Sequence, residues 1–539
     1  MPPGLPARLL ELLVAVPPLV LLAAAAVPAS LANAHARTVR TVITGLIAAA
    51  FVAALAAAGL LAATGPVDRA FLSASGSLPL NLGVYFDSLS AVMMLLITTV
   101  GLVIARFSIR ALDGEPGQGR FFTWLAFTIG AVLAVVVARN LLMLTAAWML
   151  TSLGLHMLLL QYPDRPWALW AARKKFLISR LGDAFLLAAL GLTFATFGTA
   201  DYADLFAQAD AQRAAGGGWA AGLIGLLLVL GAMTKSAQVP FHSWLPDTME
   251  APTPVSALMH AGIINAGGYL VIRLSPLVSL SPLALDILAI VGGITALFGG
   301  LVMLSQTSIK RALAFSTIAQ MGFMMLQCGL GAFAAALLHI VAHSAYKAHA
   351  FLASGSVLDA AARTKTIASP LPRGGAAALA AIAAAALAGG ICLGVFAAAG
   401  IDPLTKPGGL VLGIVLIIAL TTLLWQAFLT RSLRLAGGGV LAAAGVAVAY
   451  VAALSGTDWL LSNSSVATAM PPASLLGGVV AVIVVVGFLG VLAIQSATPL
   501  LSRLPAVRAL HVHAANGFYL DIPARRLTAR AWGLTDPVP

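Results

Sequence analysis

Charge is what this sequence has least of. Of 539 residues only 9% are Asp, Glu, Lys or Arg, while 60% are hydrophobic. Ordinary soluble domains carry about 25% charged residues to cover their surface, so a water-soluble globular fold is excluded. Cysteine is nearly absent. Cys328 and Cys392 are the two present, both inside apolar runs, which excludes a disulfide framework or a cysteine metal cluster. Long polar stretches are missing as well. The longest, residues 201–219 and 503–539, are too short to bury a core of their own. No phosphate-cradling glycine loop, no GxGxxG after a strand and no Cys/His metal spacing occurs. Driving energy from a nucleotide or a bound redox cofactor therefore has no visible seat, and no cofactor is expected in this chain. The first apolar run starts near Arg8 without a clear cleavage site, so a signal peptide is not expected.

What is there is run after run of about 20 apolar residues, each long enough to cross about 30 Å of hydrocarbon. A 19-residue hydropathy window predicts fifteen spans, at 9–31, 39–64, 84–106, 121–138, 140–160, 176–199, 219–240, 254–274, 282–304, 310–329, 331–358, 375–400, 409–430, 438–455 and 474–497. The fold class is an all-α polytopic membrane protein of about 15 transmembrane helices. Its expected organisation is N-terminal spans in 1–110, a charged central core in 111–360, further spans in 361–500 and a basic tail in 501–539.

The net charge of +12 would suggest nucleic acid on a soluble protein. Here the basic residues gather in alternate loops and the tail, among them Arg37, Arg110, Arg165, Arg173, Lys174, Lys175, Arg311, Arg434, Arg525 and Arg526. The other loops hold few, such as Arg69, Arg139, Arg213, Arg273 and Lys406. This asymmetry predicts an inner membrane, an outside amino terminus, a cytoplasmic tail and no nucleic-acid partner.

Charged residues at bilayer depth cost a few kcal/mol each and ask for a reason. Lys235 ends a long apolar run, with Thr234, Ser236 and Gln238 beside it to solvate it and Pro240 to interrupt the helix soon after. The alternative is a lysine snorkelling to the interface. A proline-rich turn with Asp247 and Glu250 leads into a helix bearing His260, either a relay group titrating near neutral pH or a packing histidine. His339, His343 and Lys347 follow at i, i+4 and i+8 and form one stripe, with His349 just beyond. Two histidines at this spacing can also hold zinc, but a lysine shares their face and no third ligand sits nearby, which favours a relay. Arg180 and Asp183 are spaced to pair on one helix face, as a structural ion pair or a modulator of neighbouring charges. Burial eases a lysine's loss of its proton and a nearby acid opposes it, so moving the acid can toggle the lysine.

Residues 235–260 (KSAQVPFHSWLPDTMEAPTPVSALMH), 309–322 (IKRALAFSTIAQMG) and 339–347 (HIVAHSAYK) resemble the antiporter-like membrane subunits shared by respiratory complex I and Mrp-type antiporters. The resemblance covers about residues 86–358. It implies inverted repeats and a broken helix seven centred on Lys235. It further implies that His260 and Lys310 continue a polar axis and that His339 and His343 sit between half-channels. The segments at 148–156, 171–183, 260–269, 346–351 and 511–521 are most similar to the DabB family, membrane subunits of Dab inorganic-carbon accumulation complexes. That family implies a large peripheral, zinc-containing DabA-type partner on the cytoplasmic side and coupling of H+ or Na+ flow to one-way hydration of CO2 to bicarbonate.

Two departures from the complex I pattern stand out. Met149 replaces the glutamate that follows the span-five tryptophan, and residues 389–400, the counterpart of a broken helix twelve, carry no charge. Asp183 is then the acid expected to modulate Lys235, with His156 a weaker candidate. The runner-up readings are a proton-pumping subunit of a complex I-like, membrane-hydrogenase or Mrp assembly, and a structural scaffold with vestigial relay residues. On either of the ion-conducting readings the chain is a transporter subunit and not itself an enzyme.

Overall fold

The computed structural model describes residues 5–74, 80–216, 218–356, 375–406, 408–430, 432–468, 475–501 and 504–533. The expected boundary between residues 360 and 361 lies outside them. The helices are α1 (Leu5–Ala23), α2 (Ala29–Ala34), α3 (Ala36–Thr64), α4 (Ser88–Ala111), α5 (Gln118–Val137), α6 (Leu141–Leu159), α7 (Pro166–Phe197), α8 (Tyr202–Ala214) and α9 (Trp219–Lys235). There follow α10 (Thr253–Ala261), α11 (Ala266–Arg273), α12 (Ser275–Val278), α13 (Pro282–Ser305), α14 (Ile309–Gly329) and α15 (Phe333–Leu352). The last are α16 (Gly375–Ala398), α17 (Gly409–Leu429), α18 (Leu433–Leu461), α19 (Leu475–Leu501), α20 (Pro505–Ala515) and α21 (Ile522–Trp532).

Among the described residues thirteen helical segments are long and apolar enough to cross a membrane. The two other predicted spans are α9, 17 residues long, and α15, whose histidines and lysine lower its hydropathy. Local chemistry sets many of the starts. The Asp87 carboxylate accepts from Ser90 N at 2.9 Å ahead of α4, and the Asn140 side chain accepts from Met143 N at 2.8 Å ahead of α6. Ser281 and Ser308 cap α13 and α14 in the same way.

Burial sorts the helices. The window across α10 and α11 is 94% buried and that of α5 is 83% buried, against 11% for α19 and 17% for α18. The first two form the middle of the molecule, where a polar path can be insulated. The last two expose apolar surface to whatever surrounds the chain in the membrane, lipid or a neighbouring subunit. Helices α13 and α14 approach through glycine. A Cβ on Gly322 would lie 2.4 Å from Ala296 N, and one on Gly292 2.4 Å from Leu326 N, so their backbones touch as small-residue membrane interfaces do.

Two predicted spans are interrupted. Helix α9 stops at Lys235. Ala237 takes a left-handed φ of 48°, Pro240 follows, and short 3-10 turns run over Phe241–Trp244 and Pro246–Glu250. The span expected at 254–274 is two helices separated at Gly262 by a 3-10 turn over Ile263–Asn265. The sequence reading also missed an antiparallel hairpin. Strands β1 (Val67–Ala74) and β2 (Leu80–Phe86) pair from Val67 opposite Phe86 onward. Arg139 ties this hairpin to α8 by pairing with both Asp68 and Asp201.

A buried file of lysines, histidines and neutral oxygens

Helix α9 carries Lys235 inward at its last residue, and α6 meets it with a hydroxyl-bearing face. Lys235 Nζ donates to Thr151 Oγ1 at 2.7 Å, Ser152 Oγ at 2.8 Å and Trp148 O at 3.2 Å, and lies 4.3 Å from the centre of the Trp148 ring. The residue is 5% exposed. It is a buried ammonium held by neutral oxygens, not a lysine reaching the interface. Close packing with α7 makes this possible: a Cβ on Gly182 would come within 2.2 Å of Thr234 Oγ1.

Arg180 and Asp183 do pair, at 2.6 Å between Nη2 and Oδ2, with Asp183 buried and Arg180 partly exposed. Asp183 is within Coulombic reach of Lys235, so the pair can modulate that lysine although it does not touch it. His156 sits half-buried on α6, with Nδ1 unpaired among the described residues.

A second cluster is built by α10, α14 and α15. His260 Nδ1 is 3.0 Å from Thr317 Oγ1, and the His260 ring stacks on Phe351 at 4.3 Å. His343 Nε2 donates to the His260 carbonyl at 3.1 Å, which places the proton on that nitrogen. Lys347 Nζ donates to Ser316 Oγ at 2.8 Å and Leu313 O at 3.3 Å. His339 lies a turn from His343, ring centres 5.9 Å apart. His349 is exposed on the outside of α15 and does not join the group.

Polar groups at the two helix breaks run between the clusters. Ser236 Oγ donates to Ile264 O at 2.6 Å, and the next residue, Asn265, donates to Ser344 Oγ at 2.9 Å beside His343. Gln238 Oε1, Asn265 Oδ1 and His260 Nε2 are buried without a protein partner among the described residues. Buried groups of this kind are ordinarily met by water. Lys310, half-buried at the start of α14, lines a cleft of about 340 Å3 together with Arg165 and Glu250, whose side chains are 3.6 Å apart. Lys310 stands one turn before Leu313, whose carbonyl accepts from Lys347. Among the described residues no group of three or more His, Cys, Asp or Glu converges on a metal position.

Three charges were misread from sequence. Lys174 and Lys175, assigned there to a loop, are buried in α7 at 1% and 2% exposure. Lys174 pairs with Asp247 at 2.8 Å and Lys175 donates to Ser152 O at 2.6 Å. Arg273, also assigned to a loop, is fully buried and bidentate to Asp87, 2.7 Å on each arm.

Comparison with known proteins places this arrangement. A family model described as NADH:quinone oxidoreductase/Mrp antiporter, TM, matches residues 138–430. One described as NADH-Ubiquinone oxidoreductase (complex I), chain 5 N-terminus, matches residues 71–122. The probable inorganic carbon transporter subunit DabB2 of Halothiobacillus neapolitanus is 40% identical over 97% of this chain and 94% of its own length. The chain belongs to the DabB family. A second family relative, the probable inorganic carbon transporter subunit DabB of Hydrogenovibrio crunogenus, is 42% identical over 52% of the chain and 54% of its own length. NADH-quinone oxidoreductase subunit L of Mycobacterium tuberculosis is 43% identical over 53% of the chain and 45% of its own length. The chain thus spans about half the length of these two relatives. The Mrp complex from Dietzia sp. DQ12-45-1b shares the fold: TM-score 0.61 at 23% identity, covering 98% of this chain and 59% of that one.

Proposed function

We propose that this multi-pass membrane subunit conducts protons through the Lys235, His260, His343 and Lys347 file and couples that flow to inorganic-carbon uptake. The coupled reaction is the one-way hydration of CO2 to bicarbonate by a peripheral zinc-containing partner of the DabA type. The observation that carries the reading is Lys235: a buried ammonium whose hydrogen-bond partners are two hydroxyls and a carbonyl. Such a group can give up its proton without orphaning a buried carboxylate. Lys310, Arg165 and Glu250 form the access cleft, His339 extends the axis, and the Arg180–Asp183 pair biases Lys235 electrostatically. The membrane is the bacterial inner membrane, with the basic loops and tail on the cytoplasmic side. The names of the DabB relatives as probable inorganic carbon transporter subunits support this over the complex I-like alternative. So does Met149 at the position where the resemblance to complex I calls for an acid.

Co-expression of the chain with its zinc partner in cells lacking carbonic anhydrase tests the reading. Growth in air is expected to return, and to be lost with Lys235→Ala or His339→Ala. Rescue that survives both substitutions refutes it. Loss of uptake on sodium removal, with no effect of a protonophore, makes the ion sodium. A native pull-down that brings flavin or iron–sulfur subunits instead of a zinc protein establishes the complex I-like alternative.

A further inference from the structure

Lys235 is not alone at Ser152. The same residue that offers its hydroxyl to Lys235 at 2.8 Å offers its carbonyl to Lys175 at 2.6 Å. Trp148, Ser152, Lys175, Lys235 and Trp244 line one small enclosed cavity between α6, α7 and α9. Both lysines are buried, both bind neutral oxygens, and both face the same cavity. Asp183, the acid within reach, is already paired with Arg180. Two ammonium groups that share a residue in a small buried cavity repel, because little solvent fits there to screen them. The arrangement holds one proton far more readily than two, and two bases that face one cavity and share one proton form a transfer pair.

The position of Lys175 gives the pair a direction. It lies nine residues into α7, whose first turn follows the basic loop carrying Arg165. The next residue, Phe176, packs its ring 5.6 Å from His156 and 6.2 Å from Trp532 of the tail helix α21. Lys175 therefore stands between the centre of the membrane and the basic face, on the side where the tail docks.

We propose that Lys175 is the proton partner of Lys235, exchanging one proton with it across the cavity they share beside Ser152 and opening a branch of the path along α7 toward the basic face near His156. In the transfer one proton leaves the Lys235 ammonium and is taken up by the neutral Lys175 amine across the small cavity that both side chains line. Lys235 is left neutral, Lys175 becomes charged, and no other group changes charge. This rests on the proposed conduction through Lys235.

The test uses the full chain in liposomes, with proton flux driven by a potassium-diffusion potential and read by an internal pH dye. Lys235→Ala is expected to reduce flux at least tenfold. Lys175→Met is expected to do the same, and so is Lys175→Arg. A guanidinium keeps the positive charge but does not release its proton, so a merely structural cation would be rescued by arginine and a proton carrier would not. Ser152→Ala removes one of the three acceptors of Lys235 and leaves the Ser152 carbonyl to Lys175, so it should slow flux by a smaller factor. Each variant is checked for wild-type elution in detergent, and Lys175→Gln replaces Lys175→Met if the latter aggregates. Wild-type flux in Lys175→Arg overturns the carrier role. Wild-type flux in the neutral variant, with flux lost in Lys235→Ala, removes Lys175 from the path and leaves conduction through Lys235 intact. Absence of flux in the unmodified chain defeats the conduction reading itself.

Discussion

The buried Arg273–Asp87 pair makes the sharpest statement about stability. Arg273 ends α11, directly after the break at Gly262 that shapes the path. Its two nitrogens reach the two Asp87 oxygens at 2.7 Å each, and Nη2 also reaches Ser90 Oγ at 2.8 Å. Its Nε donates to the Tyr269 hydroxyl at 3.2 Å, and that hydroxyl donates to Val136 O at 2.9 Å. One bidentate pair thus binds α11 to α4 and, through Tyr269, to α5. Replacing Asp87 with alanine leaves a guanidinium that is 0% exposed without its counter-charge. Breaking such a pair from one side costs about 3–5 kcal/mol, which is about a hundred- to several-thousand-fold in the folded-to-unfolded ratio. Removing both charges, in Asp87→Ala with Arg273→Met, should recover most of that loss, because a well-packed apolar pair is often neutral relative to a buried ion pair. The assay is the midpoint of denaturation in mixed detergent micelles for the wild type, both single variants and the double variant. A double variant no more stable than Asp87→Ala alone, or an Asp87→Ala midpoint indistinguishable from wild type, would refute the reasoning.

Three further outcomes are expected in the same liposomes. Lys347→Met removes the donor to Ser316 Oγ and Leu313 O and should cut proton flux at least tenfold. Its denaturation midpoint should hardly move, since Leu313 O keeps Thr317 Oγ1 as a donor and no counter-charge is stranded. Asp183→Asn leaves Arg180 unopposed near Lys235 and Lys175. It should slow flux severalfold, with Asp183→Glu nearer to wild type; equal effects of the two would remove the electrostatic role of the pair. His349→Ala, on the exposed side of α15, should leave flux within twofold of wild type, and a larger loss would contradict the placement of the file.

The spans were legible because hydrophobic run length is a direct readout of bilayer thickness. The α15 stripe was legible because i, i+4 spacing fixes a helix face whatever surrounds it. Lys175 was not. A hydropathy window pushes charged residues out of a predicted span, so span six was started at 176, whereas Pro166 opens the helix at its first turn. Arg273 and Asp87 failed for a related reason. Arg273 stands at the edge of an apolar run and counts among the loop charges, Asp87 lies just inside the start of the span at 84–106, and their partnership across 186 residues leaves no local trace. The hairpin was lost because its strands are only 8 and 7 residues long and sit between long spans. His349 could have been set aside from spacing alone. Two residues past Lys347, it points about 200° around the helix, away from the stripe.

The buried charges sort by what holds them, and the sorting separates scaffold from path. Arg273 with Asp87, Arg139 with Asp68 and Asp201, and Lys174 with Asp247 are each matched by a carboxylate. A proton leaving either side of such a pair strands the opposite charge in a medium that cannot solvate it, so these charges stay fixed. Lys175, Lys235 and Lys347 bind backbone carbonyls and serine or threonine hydroxyls. Neutral oxygens lose little when an ammonium becomes an amine, because they can turn to other donors. A lysine so held can gain and lose a proton, with Asp183 near enough to bias two of the three without binding any of them. That division puts the carboxylate-free lysines on α9, α7 and α15 and the matched charges at α4, α11, the hairpin and, in Lys174, the position beside Lys175 on α7. On the proposed reading such a path is biased by the Arg180–Asp183 pair and does not need the acid that Met149 replaces.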